Sequence, residues 1–466
     1  MPDQAEQSGV IVIGAGASGL SAAIALADAG LSVAVLEARD RIGGRMFTLL
    51  DPKLRAPIEL GAEFIHGRPP EILDLLKSRH IHPREVDGDN WCVEEGRIST
   101  CDFFAEVDKI LQKMKRVDGE EDQSFADFLK QYSSRLKDTP RSRRAKQWAT
   151  GYVSGFNAAD PALVSVNWLV QEMRAEERIE GNRAFRTEHG YSDLLEIFQQ
   201  QLQDRGISVQ KSTAVESIQW RRGQADVVAT NPNGTVRLSA SRVLITVPLG
   251  VLQARSHDKG AIHFTPELPK RKRNAIRDIA MGKVIRVTLR FRERFWEHLP
   301  QSRAKASKSM GGMSFLLAHD DWFPTWWTTA PLKLPLLVGW APFHGAVRLS
   351  GQSESFVTEQ SIQTLHRLLG VSIQELEALL EHAYFHDWQS DPFSRGAYSY
   401  GKVGKDQAPQ ALAAPVENTL FFAGEATDIS GHNGTVHGAI ASGKRAAAEI
   451  VKAARIRIDC ETGKAS

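Results

Sequence analysis

This chain of 466 residues predicts an α/β fold: a doubly wound, mostly parallel sheet joined to a second, mixed α+β part. Three observations predict it. At the N-terminus the β-branched run Val10 to Ile13 enters Gly14-Ala15-Gly16-Ala17-Ser18-Gly19, an alanine-rich helix follows from Ser21 to Ala29, Gly30 ends it, and Leu31 to Leu36 supplies a second apolar strand. In mid-chain, helix-prone and strand-like stretches alternate. Near the other end, Leu420 to Ala423 reads as a buried strand that stops at Gly424-Glu425, and Gly434-Thr435-Val436 opens a second alanine-rich helix running to Ile450.

The first element is a complete βαβ unit with the chemistry of a dinucleotide grip. Gly14 permits the tight turn, Gly16 lets backbone amides approach a pyrophosphate, and Gly19 lets helix and strand pack closely. The free N–H groups of the helix N-terminus face the phosphate, and Glu37, closing the second strand, suits the ribose hydroxyls. A glycine loop that binds nothing is the bland alternative, and strand, helix, second strand and acidic residue in the right order argue against it. Glu59 to Gly67 reads as a short strand ending in a turn. From about Ala105 to Glu180 the chain is charged and helix-prone, with Phe125, Phe128 and Leu129 on one apolar stripe. Gly190 to Leu195 begins a helix, and Ile207 to Gln210, Ala225 to Thr230 and Val243 to Val247 read as strands. The turn Asn231-Pro232-Asn233-Gly234 separates two β segments. There are no internal repeats and no low-complexity linker.

Composition sets modest limits. The length suits two or three domains sharing a large core. A formal net charge of +2 offers no field that would recruit nucleic acid or a membrane surface. The basic runs Lys270 to Arg273 and Arg141 to Arg144 read as solvated helix faces rather than localisation signals. Cys92, Cys101 and Cys460 form no CxxC pair, and the simplest inference is a reducing, cytoplasmic setting without a disulfide framework. No signal peptide is visible, no uncharged apolar run approaches membrane-spanning length, and the polar stretch Ala453 to Ser466 predicts no anchoring tail.

The continuation Glu37-Ala38-Arg39-Asp40-Arg41-Ile42-Gly43-Gly44-Arg45 adds arginines and a second glycine pair, which suit a pyrophosphate held from both sides. This segment resembles the flavin amine oxidase superfamily, as does the C-terminal Gly424-Glu425 with Thr435-Val436. The middle, from about Ile98 to Ala184, matches only in general character. The resemblance implies an amine-oxidase or p-hydroxybenzoate-hydroxylase-like topology with non-covalently held FAD. It places the Rossmann-like FAD domain at 1–66, 190–270 and 400–455, the substrate domain at 67–189 and 271–399, and a polar tail at 456–466. The implied cofactor shell is Gly14, Gly16, Ala17, Ser18, Gly19, Glu37, Ala38, Arg39, Gly43, Gly44, Arg45, Gly61, Ala62, Glu63, Phe64, Val215, Gly424, Glu425, Thr435 and Val436, with no metal. Without the resemblance, Arg39 and Arg45 also read as surface arginines.

No second strand-GxGxxG-helix appears; Gly311-Gly312-Met313 has neither context, so electrons are expected from a small substrate rather than a nicotinamide. Asp391 to Tyr400 resembles the segment of polyamine and spermine oxidases that precedes their last flavin motif. Ala397 stands where monoamine oxidases carry the cysteine that links to flavin. Tyr398 matches one wall of the aromatic cage around an amine, and Thr435 stands at the opposite wall. Gly61-Ala62-Glu63-Phe64-Ile65-His66-Gly67 is similar to the polyamine oxidase pattern whose histidine faces the substrate, although a histidine before glycine also reads as a turn residue. Glu63 is a candidate cation partner. Arg286, in Gly282 to Phe291 ahead of Phe295-Trp296, departs from the pattern: the superfamily usually has lysine there, holding a water against the flavin N5. Arginine anchors a water but stays charged, which puts oxidase activity in doubt; a cross-strand ion pair is its alternative role. Lys283 replaces it only if the strand is bulged. Trp322, Phe323, Trp326, Trp327, Trp340 and Phe343 read as core first and channel lining second.

The expected activity is oxidation of a polyamine or monoamine by hydride transfer to the flavin, with oxygen or another acceptor taking the electrons, in a monomer or homodimer. The alternatives are a flavin enzyme for an apolar substrate, as desaturases and protoporphyrinogen oxidases are, and a non-catalytic flavin-holding protein.

Overall fold

A computed structural model describes residues 6–94, 96–116, 121–134, 139–299 and 309–462. Its first sheet has eight strands. In order across the sheet run Val209–Gln210, Val33–Leu36, Glu6–Ile13, Gly234–Ile245, Gln224–Asn231, Ala214–Arg221 and His263–Thr265, with Leu420–Phe422 also pairing on Gly234–Ile245. The half around Glu6–Ile13 is parallel, as buried Val/Ile-rich strands covered on both faces tend to be. The other half is an antiparallel meander whose hairpin turns at Asn231 to Gly234, where the turn residues stand, with His263–Thr265 added parallel at its edge.

The helix Ala17–Asp28 begins four residues earlier than the sequence pattern suggests, directly at the glycine turn. Helix Val436–Thr462 lies against it so closely that Ser18 Oγ and Ser442 Oγ stand 3.3 Å apart, which explains why both helices are rich in alanine, glycine and serine. The expected polar tail continues this helix to Thr462, and residues 463–466 lie outside the described residues.

The second sheet has seven strands. They run Leu380–Phe385, Val284–Phe291, Leu336–Pro342, Thr325–Trp327, Met313–Ala318, Asp89–Glu94 and Arg97–Thr100. All neighbours are antiparallel except Met313–Ala318 with Asp89–Glu94. Helices Phe103–Met114, Phe125–Ser134, Pro140–Gly155 and Val166–Arg178 form a separate layer, with Phe125, Phe128 and Leu129 buried in its core. Glu59 to Gly67 is two short strands, Pro57–Glu59 and Ile65–His66, rather than one.

Two compositional expectations are corrected. Cys92 and Cys101 form a disulfide: the hairpin that pairs Cys92 with Ser99 brings the two Cα atoms to 5.8 Å, a proximity that a count of cysteines does not reveal. The inference of a setting without disulfides therefore loses its basis. Within the basic run of helix Lys270–Asp278, Lys272 is buried, not solvated. It donates to the carbonyls of Leu412 and Ala414 over the ring of Phe422, and burial pulls its ammonium down to about 7. Arg141, Arg143 and Arg144 are exposed as expected. Among the described residues, no helix is long and apolar enough to cross a membrane.

Candidate active site

The register aligns Ile13 with Leu36 and Ile245, and Ile245 with Phe422, so four parallel strands end in one row. Beyond that row lies the crevice in which doubly wound sheets bind ligands. Gly14, Glu37, Thr246 and Gly424, which leave those strand ends, all border one cavity of about 860 Å³.

At its inner end the glycine turn has the geometry its sequence calls for. Gly14 has φ +104°, and a Cβ on Gly19 would stand 1.9 Å from the Gly14 carbonyl oxygen. Gly16 caps the helix with no side-chain bond, leaving its first N–H groups to a ligand. Buried Glu37 fixes the turn from the next strand: its carboxylate accepts from Ala15 N at 2.7 Å and Arg39 N at 2.9 Å and retains further acceptor capacity toward the cavity.

Arg39 and Arg45 are not surface arginines. Arg39 donates to Asp391 Oδ1 at 2.8 Å and to Ser394 Oγ at 3.0 Å. Arg45 donates to Ala397 O at 2.6 Å and to Glu425 Oε1 at 3.0 Å. Glu425 in turn accepts from Ser399 Oγ at 2.6 Å and from Gly434 N at 2.9 Å. One carboxylate thus ties together segments far apart in sequence. Ala17, Ser18, Ala38, Gly43, Gly44, Gly61, Ala62, Glu63, Phe64, Val215 and Val436 border the same cavity; Gly19 packs behind the turn.

Farther along, the wall is aromatic and acidic. Tyr398 donates its hydroxyl to Phe156 O at 2.6 Å, and burial pushes its phenol well above the ordinary range. Thr435 borders the cavity, but its hydroxyl is engaged: it donates to His432 O at 2.7 Å and accepts from Gly438 N at 3.0 Å, capping the last helix. His66 stands edge-on to Phe156 with ring centroids 5.2 Å apart, and burial lowers its imidazole pKa. Asn157 Nδ2 donates to Glu172 at 2.7 Å; burial and the charge of Glu176 push the Glu172 carboxyl up to about 8.

Arg286 and Glu63 meet. The Arg286 guanidinium pairs with Glu63, donates to Gly61 O at 3.0 Å and lies over Trp327. Arg186 approaches the same carboxylate at 2.6 Å, and Trp327 Nε1 donates to it at 3.0 Å. Burial alone pushes the Glu63 carboxyl up, but the two guanidiniums outweigh it and hold it below the usual range. Arg286 Nε is buried without a hydrogen-bond partner among the described residues. The ion pair foreseen for Arg286 exists, with a loop residue rather than a cross-strand neighbour. Glu63, offered as a cation partner, already holds two. Lys283 is exposed and does not take the place of Arg286.

The model of the family "Flavin containing amine oxidoreductase" matches residues 17–103 and 93–451. The chain belongs to this family. It is an oxidoreductase acting on amines, and its cofactor is FAD. Polyamine oxidase 2 of Arabidopsis thaliana is 29% identical over 94% of this chain and 87% of its own length. Polyamine oxidase 4 of Oryza sativa subsp. japonica is 30% identical over 95% and 88%. Among solved structures, wild-type putrescine oxidase bound to putrescine superposes with a TM-score of 0.76 at 22% identity, covering 96% of this chain and 99% of that one.

The residues present fit the flavin of this family of oxidoreductases. The space before Gly16 is open, with no atom within 4 Å of where a Cβ would stand, and the uncapped helix N-terminus faces it. Sequence reasoning missed Thr246, which donates to Ile13 O at 2.8 Å and braces the turn; a small polar residue right after a buried strand was its only signal. It also missed Glu172, Tyr152 and Phe156, which look like ordinary residues of charged helices until the helices fold over the sheet. Of the aromatic cluster, Trp327 and Trp340 border the cavity, while Phe323 and Trp326 are core.

Proposed function

We propose that this flavoenzyme oxidises a polyamine and holds its FAD without a covalent bond. The observation that carries the reading is the half-buried carboxyl of Glu172 beside Tyr398, in a cavity whose outer wall also presents Asp108 and the exposed Asp87. A substrate with several ammonium groups finds acidic partners along that path, whereas a simple monoamine uses one. The polyamine oxidase names of the relatives support the same substrate class.

Bound FAD supplies a hydride acceptor for the carbon beside the reacting nitrogen, and the resulting imine is hydrolysed by water. The chain's part is orientation and proton control. Tyr398 presents a π face and keeps water out, which favours the neutral amine that a hydride can leave. His66, its pKa lowered by burial, accepts a hydrogen bond from the substrate nitrogen or takes its proton. Arg286 stands where the family usually has lysine and keeps its own proton, so oxygen reacts slowly. Ala397 offers no thiol for a covalent link.

Anaerobic mixing with spermine, spermidine, putrescine, a monoamine and amino acids tests this by loss of the visible flavin band. Bleaching by the polyamines at the lowest concentrations is expected; bleaching by the monoamine or amino acids alone overturns the substrate assignment. Glu172→Gln is expected to raise KM for spermine by about 10- to 100-fold, the worth of a charge-assisted hydrogen bond.

A further inference from the structure

Behind the cavity wall to which it lends Asn433, Gly434 and Thr435, the loop 428–435 lies on helix Val166–Arg178. Gly431, at φ +94°, allows it: a Cβ there would stand 2.8 Å from Gln171 O and 2.9 Å from the Ala175 Cβ. This approach sets His432 Nδ1 3.9 Å from Glu176 Oε1. His437, in the first turn of the last helix, faces the same point, its ring centroid 4.6 Å from that of His432.

One donor atom from each of Glu176, His432 and His437 lies within 4.8 Å of the others. Glu176 Oε2, His432 Nδ1 and His437 Nε2 are all buried, and none has a hydrogen-bond partner among the described residues. His437 is only 3% exposed. Buried polar atoms are ordinarily satisfied, so three side chains that gather from two chain segments, each with an unsatisfied buried atom, call for something between them.

We infer that Glu176, His432 and His437 form a binding site for a divalent transition-metal ion. Two imidazoles and one carboxylate suit zinc and its neighbours in the first row rather than magnesium or calcium, which prefer oxygen alone. Ligands around tetrahedral zinc stand roughly 3.3 Å apart, so modest side-chain rotations close the trio. Only His437 of the three borders the cavity, which puts the ion behind the cavity wall, where it pins the loop to the helix. That loop carries Gly434, whose N–H holds Glu425, and Thr435, which caps the last helix.

The test uses the FAD-loaded protein, stripped with a chelator, incubated with zinc sulfate and desalted. One zinc per chain by mass spectrometry and a raised melting temperature are expected. His432→Gln and Glu176→Gln, each with its flavin absorbance retained, are expected to weaken binding at least tenfold. X-ray absorption at the zinc edge needs no variant and is expected to show two imidazoles in the coordination shell. Retention of less than a tenth of an equivalent, wild-type affinity in both variants, or a shell without imidazole overturns the assignment.

Discussion

Arg286 is hemmed in. Its guanidinium shares Glu63 with Arg186 in a wall where neither charge reaches water freely, and its geometry is held by Gly61 O and the face of Trp327. Lysine at this position keeps a positive charge for Glu63 but concentrates it on one nitrogen that can lose a proton, as guanidinium cannot. Arg286→Lys is therefore expected to speed reoxidation of the reduced flavin by oxygen about tenfold or more, measured by stopped-flow mixing with aerated buffer. An unchanged rate would remove Arg286 from the oxygen reaction. Glu63→Gln acts differently: it leaves two buried guanidiniums without their carboxylate, a loss expected to cost about 3–5 kcal/mol. A thermal melt indistinguishable from wild type would show that the cluster contributes nothing to the fold. The chemical types of these residues were plain in the sequence. Their meeting was not, because Glu63 lies in an irregular loop and Arg286 in a strand 223 positions later (286 − 63), and no local pattern links the two.

At the level of elements, the glycine turn separates what serves the fold from what serves the cofactor. A Cβ on Gly19 runs into the Gly14 carbonyl, whereas a Cβ on Gly16 meets no atom within 4 Å. Gly19→Ala is expected to destabilise the protein with or without FAD, by about 1–3 kcal/mol in the manner of overpacked cores. Gly16→Val is expected to leave the apoprotein melting temperature near wild type yet weaken FAD binding at least tenfold, because the new side chain fills the space the pyrophosphate needs. Parallel melts and flavin titrations decide it; equal losses in both assays for both variants would refute the separation. The strand-turn-helix units at both ends were legible because their signal is local: β-branched runs, glycine turns, alanine-rich helices. The seven-stranded sheet was not, since its strands come from 89–100 and 284–385 and pair largely out of chain order. Lys272 and the cysteines misled for the same reason. Burial of a lysine under Phe422 and the closeness of Cys92 to Cys101 are properties of the packed chain, not of its composition.

For the whole molecule, the proton on Glu172 couples stability to substrate. Folding raises this carboxyl from its ordinary value of 4.5 to about 8, so between those values the folded state holds a proton that the unfolded chain has released. Stability drawn from that proton is full below the unfolded pKa and is lost as pH rises through the folded one. Glu59, Lys272 and His437 also carry displaced pKa values, but they are common to wild type and Glu172→Gln and cancel in the difference between the two. Between about pH 5 and about pH 8 the melting temperature of wild type is therefore expected to fall relative to that of Glu172→Gln. An ammonium beside Glu172 reverses the preference, favouring the ionised carboxylate and expelling the proton. Protection of wild type by spermine is thus expected to grow as pH rises toward about 8, while spermine itself stays charged, and the growth is expected to vanish in the variant. If spermine protects both proteins equally at every pH, the cation binds somewhere other than Glu172, and the polyamine reading loses the residue on which it rests.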